Sequence, residues 1–519
     1  MSAGQRFVFL LGLALGTGCV GADDIGDPGD AATSVAETQQ AVAATTSLTL
    51  DDRIKKCKSD PRVTAGAVSV DICVGADLFL RETFNGNGRS CATCHRVDHN
   101  FTIDANFIAT LPGNDPIFVA EFNPALSKLE IPAQMRGRGL ILENLDGFAP
   151  NPAVRFVLRS VPHNLSMGTS VTRAPGDLVN PPAERTGWSG DGAPGGGSLR
   201  DFQTGAITQH YTKSLSRTVG TDFRLATDGE LDRIDLFMRQ LGRTNELNLT
   251  TVAMTDAGAE AGRNAFLTVG CNACHNNAGA NAGFGGGGNR NFNTGVESAR
   301  NAGLLSFPRD GGFLAAPANA DGSFGDGTFN APPLVEAADT PPFFHTDVSV
   351  SGASAHNTSS VYTIEEAVAF YDSPAFNNSP SGQVAPINLT AEQIDNIGRF
   401  LRVVNASFNA AMAVKRLDAA SKLITKFHNG QLATQREELR LAEVELLDAF
   451  DVLYAVPDLN FDSISLFSSA AFDLDLARFT GSESFRAFLI SDAKSLTQAA
   501  WAMLGSNLSY TIGDSTVMF

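Results

Sequence analysis

Apolar positions along this chain fall into segments of different period, and each period predicts a different element. Residues 7–18, "FVFLLGLALGTG", form an almost unbroken apolar run behind Arg6 and end at Cys19. The run is too short and too interrupted by glycine for a membrane span, and it reads as an export signal over 1–19. Residues 20–46 carry no apolar period and are rich in Ala, Asp, Thr and Gly, the composition of a disordered tether. The stretches "ICVGADLFLRETFNGNGRS" (72–90) and "AGAEAGRNAFLTVG" (257–270) each place a short amphipathic helical run, with Leu-Phe or Ala-Phe, ahead of a cysteine. Apolar spacing of three and four returns in "REELRLAEVELLDAFDVL" (436–453) and "SDAKSLTQAAWAMLG" (491–505), which predicts packed helices there. The fold class is therefore mainly α.

Composition changes this picture little but excludes some partners. The 519 residues are 43% hydrophobic and 18% charged, as in a soluble globular chain, and their number suits two or three domains. A net charge of −18 argues against nucleic acid and anionic membranes, whose phosphates it would repel. It suits a small basic partner and is also a common solubility device. Phe (35) far outnumbers Tyr (5), which points to apolar interiors or an apolar pocket. "GTGC" has the form of a lipoprotein cleavage box with Gly16 in place of the usual Leu, so the chain is read as a lipid-anchored lipoprotein at Cys19 or as plainly secreted.

Chemistry enters with two copies of one motif. "SCATCH" supplies Cys91, Cys94 and His95; "GCNACH" supplies Cys271, Cys274 and His275. Two residues between the cysteines let both sulfurs reach one macrocycle from a single turn, and the following His binds iron axially, as in c-type haem attachment. A structural zinc site needs four converging ligands and leaves the histidines unexplained. A thioredoxin-like pair expects a βαβ context and no particular His. Two covalent haem c groups, ligated by His95 and His275, are the reading adopted. Of seven cysteines, Cys19 belongs to the signal and four to the motifs, which leaves Cys57 and Cys73 as a disulfide pair in an exported chain.

Beyond the motifs, residues 70–415 resemble the bacterial di-haem cytochrome c peroxidase superfamily, including its MauG-like and rubber-oxygenase branches. The resemblance is carried by "RSVPHNLSM" (159–167), "TGWSGDGAPGGGSLRDFQTGAI" (186–207), "TPPFFHTDVSV" (340–350), "TIEEAVAFYD" (363–372) and "LTAEQIDNIGRFLRVVN" (389–405), in family order. It implies two cytochrome-c-like haem domains: 47–245, with an insertion at 101–158, and 246–415. A helical C-terminal extension follows over 416–519.

The resemblance also implies roles. Trp188 falls where the family places a Trp between its haems; the alternative is simple packing. Phe202 stands at the family's distal Gln, with Gln203 beside it, and no acid falls at the family's Glu. His210 lies near enough to serve as an acid–base group, and His163 is a further pocket candidate. His99 is the only His in the interval where peroxidases keep a blocking ligand, and it is too close to His95 to reach the opposite face. The first haem is then open.

For the second haem the resemblance offers Tyr371 as sixth ligand, with His345 as rival. Calcium between the domains is implied by the family, but Ser160 replaces its Asn ligand, while Thr340 and Pro342 keep carbonyls to offer. The Gly-rich "GFGGGGNRNFN" (283–293) lacks the Lys-Ser/Thr of a phosphate loop and reads as a flexible loop.

The expected activity is that of a peroxide-dependent oxidoreductase drawing electrons from a small cytochrome or cupredoxin. The alternatives are a dioxygen-dependent oxygenase cleaving an apolar polyisoprenoid-like substrate, and an electron-transfer cytochrome with no catalysis. The location expected is periplasmic, at the outer membrane, or secreted.

Overall fold

Helix starts in this chain are set by polar side chains that satisfy the free N–H groups of the first turn. In the computed structural model, which describes residues 48–144, 156–177, 182–192, 197–313, 325–350 and 361–519, Thr49 and Asp52 form a reciprocal capping box on α1 (Leu50–Lys58), and Ser69 caps α2 (Val70–Arg81). Cys57 on α1 and Cys73 on α2 are joined in a disulfide. The residues expected to form the export signal and the tether, Cys19 included, lie outside the described residues.

After the first motif come short helical turns and a hairpin in which β1 (Leu140–Asn144) pairs antiparallel with β2 (Phe156–Ser160), Leu140 opposite Ser160. This insertion has a small core of its own, Ile103, Ile108, Ile117, Phe118, Met135 and Ile141, and Cys94 packs against it. Buried ion pairs Arg89–Glu130 and Arg96–Asp115 tie it to the residues flanking the motif.

Capping boxes again open α3 (Leu199–His210, from Ser198 and Asp201) and α4 (Asp228–Arg239, from Thr227 and Glu230). The chain continues through β3 (Ala253–Met254) and α5 (Ala257–Thr268) to the second motif. Next come β4 (Asn291–Phe292), paired with β5 (Phe329–Asn330), then α6 (Ile364–Phe370) and the 37-residue α7 (Ala391–Phe427).

Two helix crossings share one construction. On α2, Gly75 sits so close to α4 that a Cβ there would lie 2.1 Å from the Arg233 carbonyl, and on α5 a Cβ on Gly262 would lie 1.8 Å from the Asn396 carbonyl of α7. Four residues past each glycine a phenylalanine meets a phenylalanine four residues past each carbonyl: Phe79 on Phe237 at 5.2 Å, Phe266 on Phe400 at 5.4 Å. Only glycine permits the approach, and the ring pair fills the next turn. The helix before each CxxCH motif is thus held by the same device.

Three more helices, α8 (Leu432–Tyr454), α9 (Phe461–Phe479) and α10 (Glu483–Leu504), fold back in turn, and α10 returns to α7 to close a four-helix bundle. β6 (Gly505–Ser506) then pairs with β3, Ser506 opposite Ala253. The architecture is mainly helical, as the apolar spacing predicts.

The boundary expected at 415/416 falls inside α7, and Thr46–Phe519 forms one compact unit. The reason is burial: between Ile397 and Ile424, α7 hides residues on every side, with the second motif's helix on one flank and the bundle on another. The Gly-rich 283–293 segment is pinned as well, since buried Asn289 donates through Nδ2 to the carbonyls of Ser170 (2.7 Å) and Ala331 (3.2 Å). Among the described residues no helix is long and apolar enough to cross a membrane.

Candidate functional site

Both CxxCH motifs put their three side chains on a single turn. In the first, the His95 amide donates to the Cys91 carbonyl at 2.9 Å; in the second, His275 does the same to Cys271 at 3.0 Å. Each imidazole then donates from Nδ1 to a backbone carbonyl, His95 to Phe101 and His275 to Pro332, both at 2.9 Å. The Gly279 carbonyl also lies within reach of the His275 ring.

Burial pushes both imidazoles down to about 4, so each is neutral, the form in which His ligates a metal. Carbonyl-braced histidines of this kind are the usual supported metal ligands. The Phe101 carbonyl is aimed by two successive left-handed residues, Asn100 (φ 51°) and Phe101 (φ 56°). Such backbone costs roughly 1–2 kcal/mol per non-glycine residue.

All four motif cysteines are free thiols. Burial pushes Cys91, Cys94 and Cys274 up to about 11 and Cys271 up to about 12. They are protonated at neutral pH, which removes the low-pKa thiolate that a dithiol redox pair depends on.

Around the first motif, the C-terminal end of α3 is fastened to the loop that carries Cys91. Asn87 donates through Nδ2 to the carbonyls of His210 and Thr212, both at 2.9 Å, and the Tyr211 hydroxyl donates to Cys91 Sγ at 3.1 Å. His210 therefore comes close to His95. Burial first, then the positive Arg89 and Arg217 and the neighbouring His95, hold it down at about 3. Its Nε2 accepts from Gln209 Nε2 at 3.2 Å, and its buried Nδ1 has no partner among the described residues.

His163 also lies within electrostatic reach of His95. It accepts from the Leu165 amide at 3.3 Å, bonds the Pro333 carbonyl, and is held at about 4 by burial and Arg243. His99 is spent elsewhere: it stacks on Phe107 at 4.4 Å and its Nε2 meets Asp104 at 3.2 Å.

Phe202 and Gln203 part company on α3. The Phe202 ring packs over Gly187, beside Trp188, whereas Gln203 turns into the interior and places Nε2 3.5 Å from the sulfur of Met238 on α4. Trp188 donates to the Ser160 carbonyl at 2.9 Å and stands edge-on to His345 at 6.4 Å.

At the second motif the two rival ligands separate. Tyr371, at the end of α6, stands edge-on to Phe370 and Phe376, and burial followed by Cys274 and Cys271 pushes its phenol up, so it lies within electrostatic reach of the motif's sulfurs. His345 is committed to Glu297, which its Nε2 meets at 2.9 Å, and its ring stacks on Phe329 at 3.7 Å. That engagement makes His345 a brace between β5 and the Trp188 loop.

Ser160, at the position implied for a calcium ligand, donates through Oγ to the Phe344 carbonyl at 2.6 Å and through its amide to the His345 carbonyl. Among the described residues no three His, Cys, Asp or Glu side chains converge to hold a metal ion.

The residues that sequence reasoning passed over are Asn87, Phe101, Tyr211 and Pro332. Two of them act through backbone carbonyls, which leave no residue-type signal. Comparison of the chain with family models, with curated proteins and with solved structures finds no match to any of them.

Proposed function

We propose that the chain is an exported di-haem c-type oxidoreductase of the peroxide-dependent kind, resembling the di-haem cytochrome c peroxidases. Its reactive site is at Cys91, Cys94 and His95, and its electron-transfer site is at Cys271, Cys274 and His275. The observation that carries the reading is repetition. Each half offers a Gly/Phe helix crossing, a CxxCH turn with both thiols free, and a neutral His whose Nδ1 is fixed by a carbonyl. That donor set fits a covalently attached haem better than a dithiol or a chelated ion.

When bound, haem supplies iron that exchanges electrons with peroxide. The chain supplies the rest. His95 and His275 would hold their groups through Nε2, and the carbonyls of Phe101 and Pro332 would raise the donor strength of each ring. His210 is the acid–base group at this site: with Nε2 accepting from Gln209, its ring proton stands on Nδ1, the nitrogen left without a partner among the described residues. Tyr371 would be the second protein ligand at the second site, where an anionic oxygen would favour ferric iron. Trp188, braced by Ser160 and His345, is the aromatic relay. Reduction of one peroxide to two waters consumes two electrons, from an external donor such as a small cytochrome or cupredoxin, and two protons.

One observation favours the oxygenase alternative: Phe202 packs an apolar ring over Gly187, the residue before Trp188, where the family keeps a polar group. A reduced-pyridine spectrum should show two c-type haems per chain, and fewer would end the reading. Stopped-flow mixing then separates the activities. Rapid oxidation of the loaded protein by peroxide supports the peroxidase; oxygen uptake coupled to alkene cleavage of a polyisoprenoid supports the oxygenase. Two low-spin haems inert to both indicate an electron-transfer cytochrome.

A further inference from the structure

We propose that residues 505–519 form a strap on the proximal side of the first motif, with Phe519 as a positioning residue for His95; the proposal rests on reading that motif as a haem site. The strap begins where β6 pairs with β3 and then runs along the segment that follows α4. The Thr244 amide donates to Thr511, the Gly513 amide to Gly242, and the Ser515 amide to Gln240, at 2.8–3.0 Å. In the other direction, the Gly242 amide donates to Thr516 Oγ1 at 3.2 Å. Ser515, Thr516, Val517 and Met518 are all buried.

The strap ends inside an aromatic cluster. The Phe519 ring lies 5.2 Å from Phe101 and 6.2 Å from Phe237, while Phe79 touches Phe101, Phe237 and the His95 imidazole itself at 5.9 Å. Phe101 is the residue whose carbonyl receives the His95 proton, and it does so from a left-handed backbone that its own side chain disfavours. A residue in that conformation persists only where its surroundings hold it, and Phe519 supplies part of that hold.

Phe519 is itself fixed from two sides. Arg62 Nη1 donates to its carbonyl at 2.6 Å, and the Arg416 guanidinium lies 5.0 Å over its ring while donating to Thr516 at 2.5 Å. Arg416 stands on α7 and Arg62 beside α1, so the strap couples the bundle to the ligand of the first haem. Among the described residues no hydrogen bond or ring contact joins 505–519 to the second motif, whose acceptor, Pro332, lies in a different segment.

The test uses the haem-loaded chain of 519 residues and its Phe519→Ala, Phe519→Leu and Leu474→Ala variants. Leu474 is fully buried in α9 and controls for lost packing without touching the strap. In each, haem per chain is counted, the iron–histidine band is recorded by resonance Raman spectroscopy, and the midpoint potential of each haem is titrated. Phe519→Ala should keep two haems, shift the iron–histidine band and midpoint of the first, and leave the second unchanged. Phe519→Leu should recover most of the shift, and Leu474→Ala should show none.

An unmoved first-haem signature in Phe519→Ala, or an equal shift in Leu474→Ala, overturns the strap. If Phe519→Ala does not accumulate, Arg62→Gln, which frees the Phe519 carbonyl together with Asp60 and Glu438, is read the same way, and an unmoved signature there also overturns it. A parent chain without two haems overturns the haem reading itself, an outcome distinct from a loaded parent whose variants do not respond.

Discussion

A carbonyl oxygen can only accept, so the bonds from His95 to Phe101 and from His275 to Pro332 place the ring proton on Nδ1 and leave the lone pair on Nε2 in both motifs. What differs between the two sites is the company each histidine keeps. Near His95 stand His163 and His210; near the second motif stands Tyr371. Replacing Tyr371 by Phe removes the phenol oxygen but keeps the ring among Phe370 and Phe376. The low-spin electron paramagnetic resonance signal of the second haem should change while haem content stays at two, and an unchanged signal would remove Tyr371 from the ligand set. At the first site the lever is proton transfer. A positioned acid–base group contributes about 10²–10⁴-fold, so His210→Gln should slow the reaction with peroxide by at least about 10²-fold with the haem count intact. A rate within a few-fold of the parent would mean that the proton travels by another group.

The helices that carry the motifs are held by steric fit, and the fit can be tested one glycine at a time. Gly75→Ala and Gly262→Ala each drive a methyl group into a backbone carbonyl, which cannot swing aside as a side chain would. The crossing must open, at a cost of about 1–3 kcal/mol or more for overpacking. Gly137, in the short helix Pro132–Arg138, is the control: a Cβ there meets nothing within 4 Å. Gly137→Ala should therefore gain about 0.5–1 kcal/mol from helix propensity. Urea unfolding of the three variants checks this, and equal midpoints would show that the crossings are loose. The amphipathic run before each motif was legible in the sequence because its apolar period is intact. The matched Gly–Phe spacing inside those runs was not, because a helical glycine reads as a propensity penalty until the neighbouring carbonyl is in view. The break expected at 415 has a similar cause. A helix buried on all sides has no polar face, so its apolar period does not show where one packing partner gives way to the next. His345 could not be separated from Tyr371 by sequence, since its partner Glu297 lies 48 residues away.

On the scale of the whole molecule, one core runs from the disulfide at Cys57 to Met518, and ionisable groups trapped within it tie stability to pH. His163 and His210 ordinarily titrate near 6.5 but are held at about 4 and about 3 in the folded chain. The unfolded chain takes up protons there that the folded chain refuses, so their contribution is complete above about pH 6.5 and is lost as pH falls toward 4. Glu438 works in the opposite sense. Both its oxygens are buried without a hydrogen bond, Arg62 comes no closer than 3.8 Å, and burial pushes the carboxyl up to about 8. The folded chain keeps a proton that the unfolded chain releases above its ordinary value of 4.5. That stabilisation is complete at low pH and declines as pH rises through about 8. Each group changes stability by at most about 1.4 kcal/mol per pH unit. Unfolding midpoints from pH 5 to 8.5 should therefore fall at both ends. The doubly substituted His163→Gln, His210→Gln chain should have a shallower acid limb, and Glu438→Gln a shallower alkaline limb. Midpoint curves that run parallel to the parent's in both variants would show that these buried groups are not the source of the pH dependence. Below about pH 6.5 the two linkages overlap with opposite sign, so Glu438→Gln should also steepen the acid limb, whereas between about 6.5 and 8 only the carboxyl of these three groups contributes and the alkaline limb reports it.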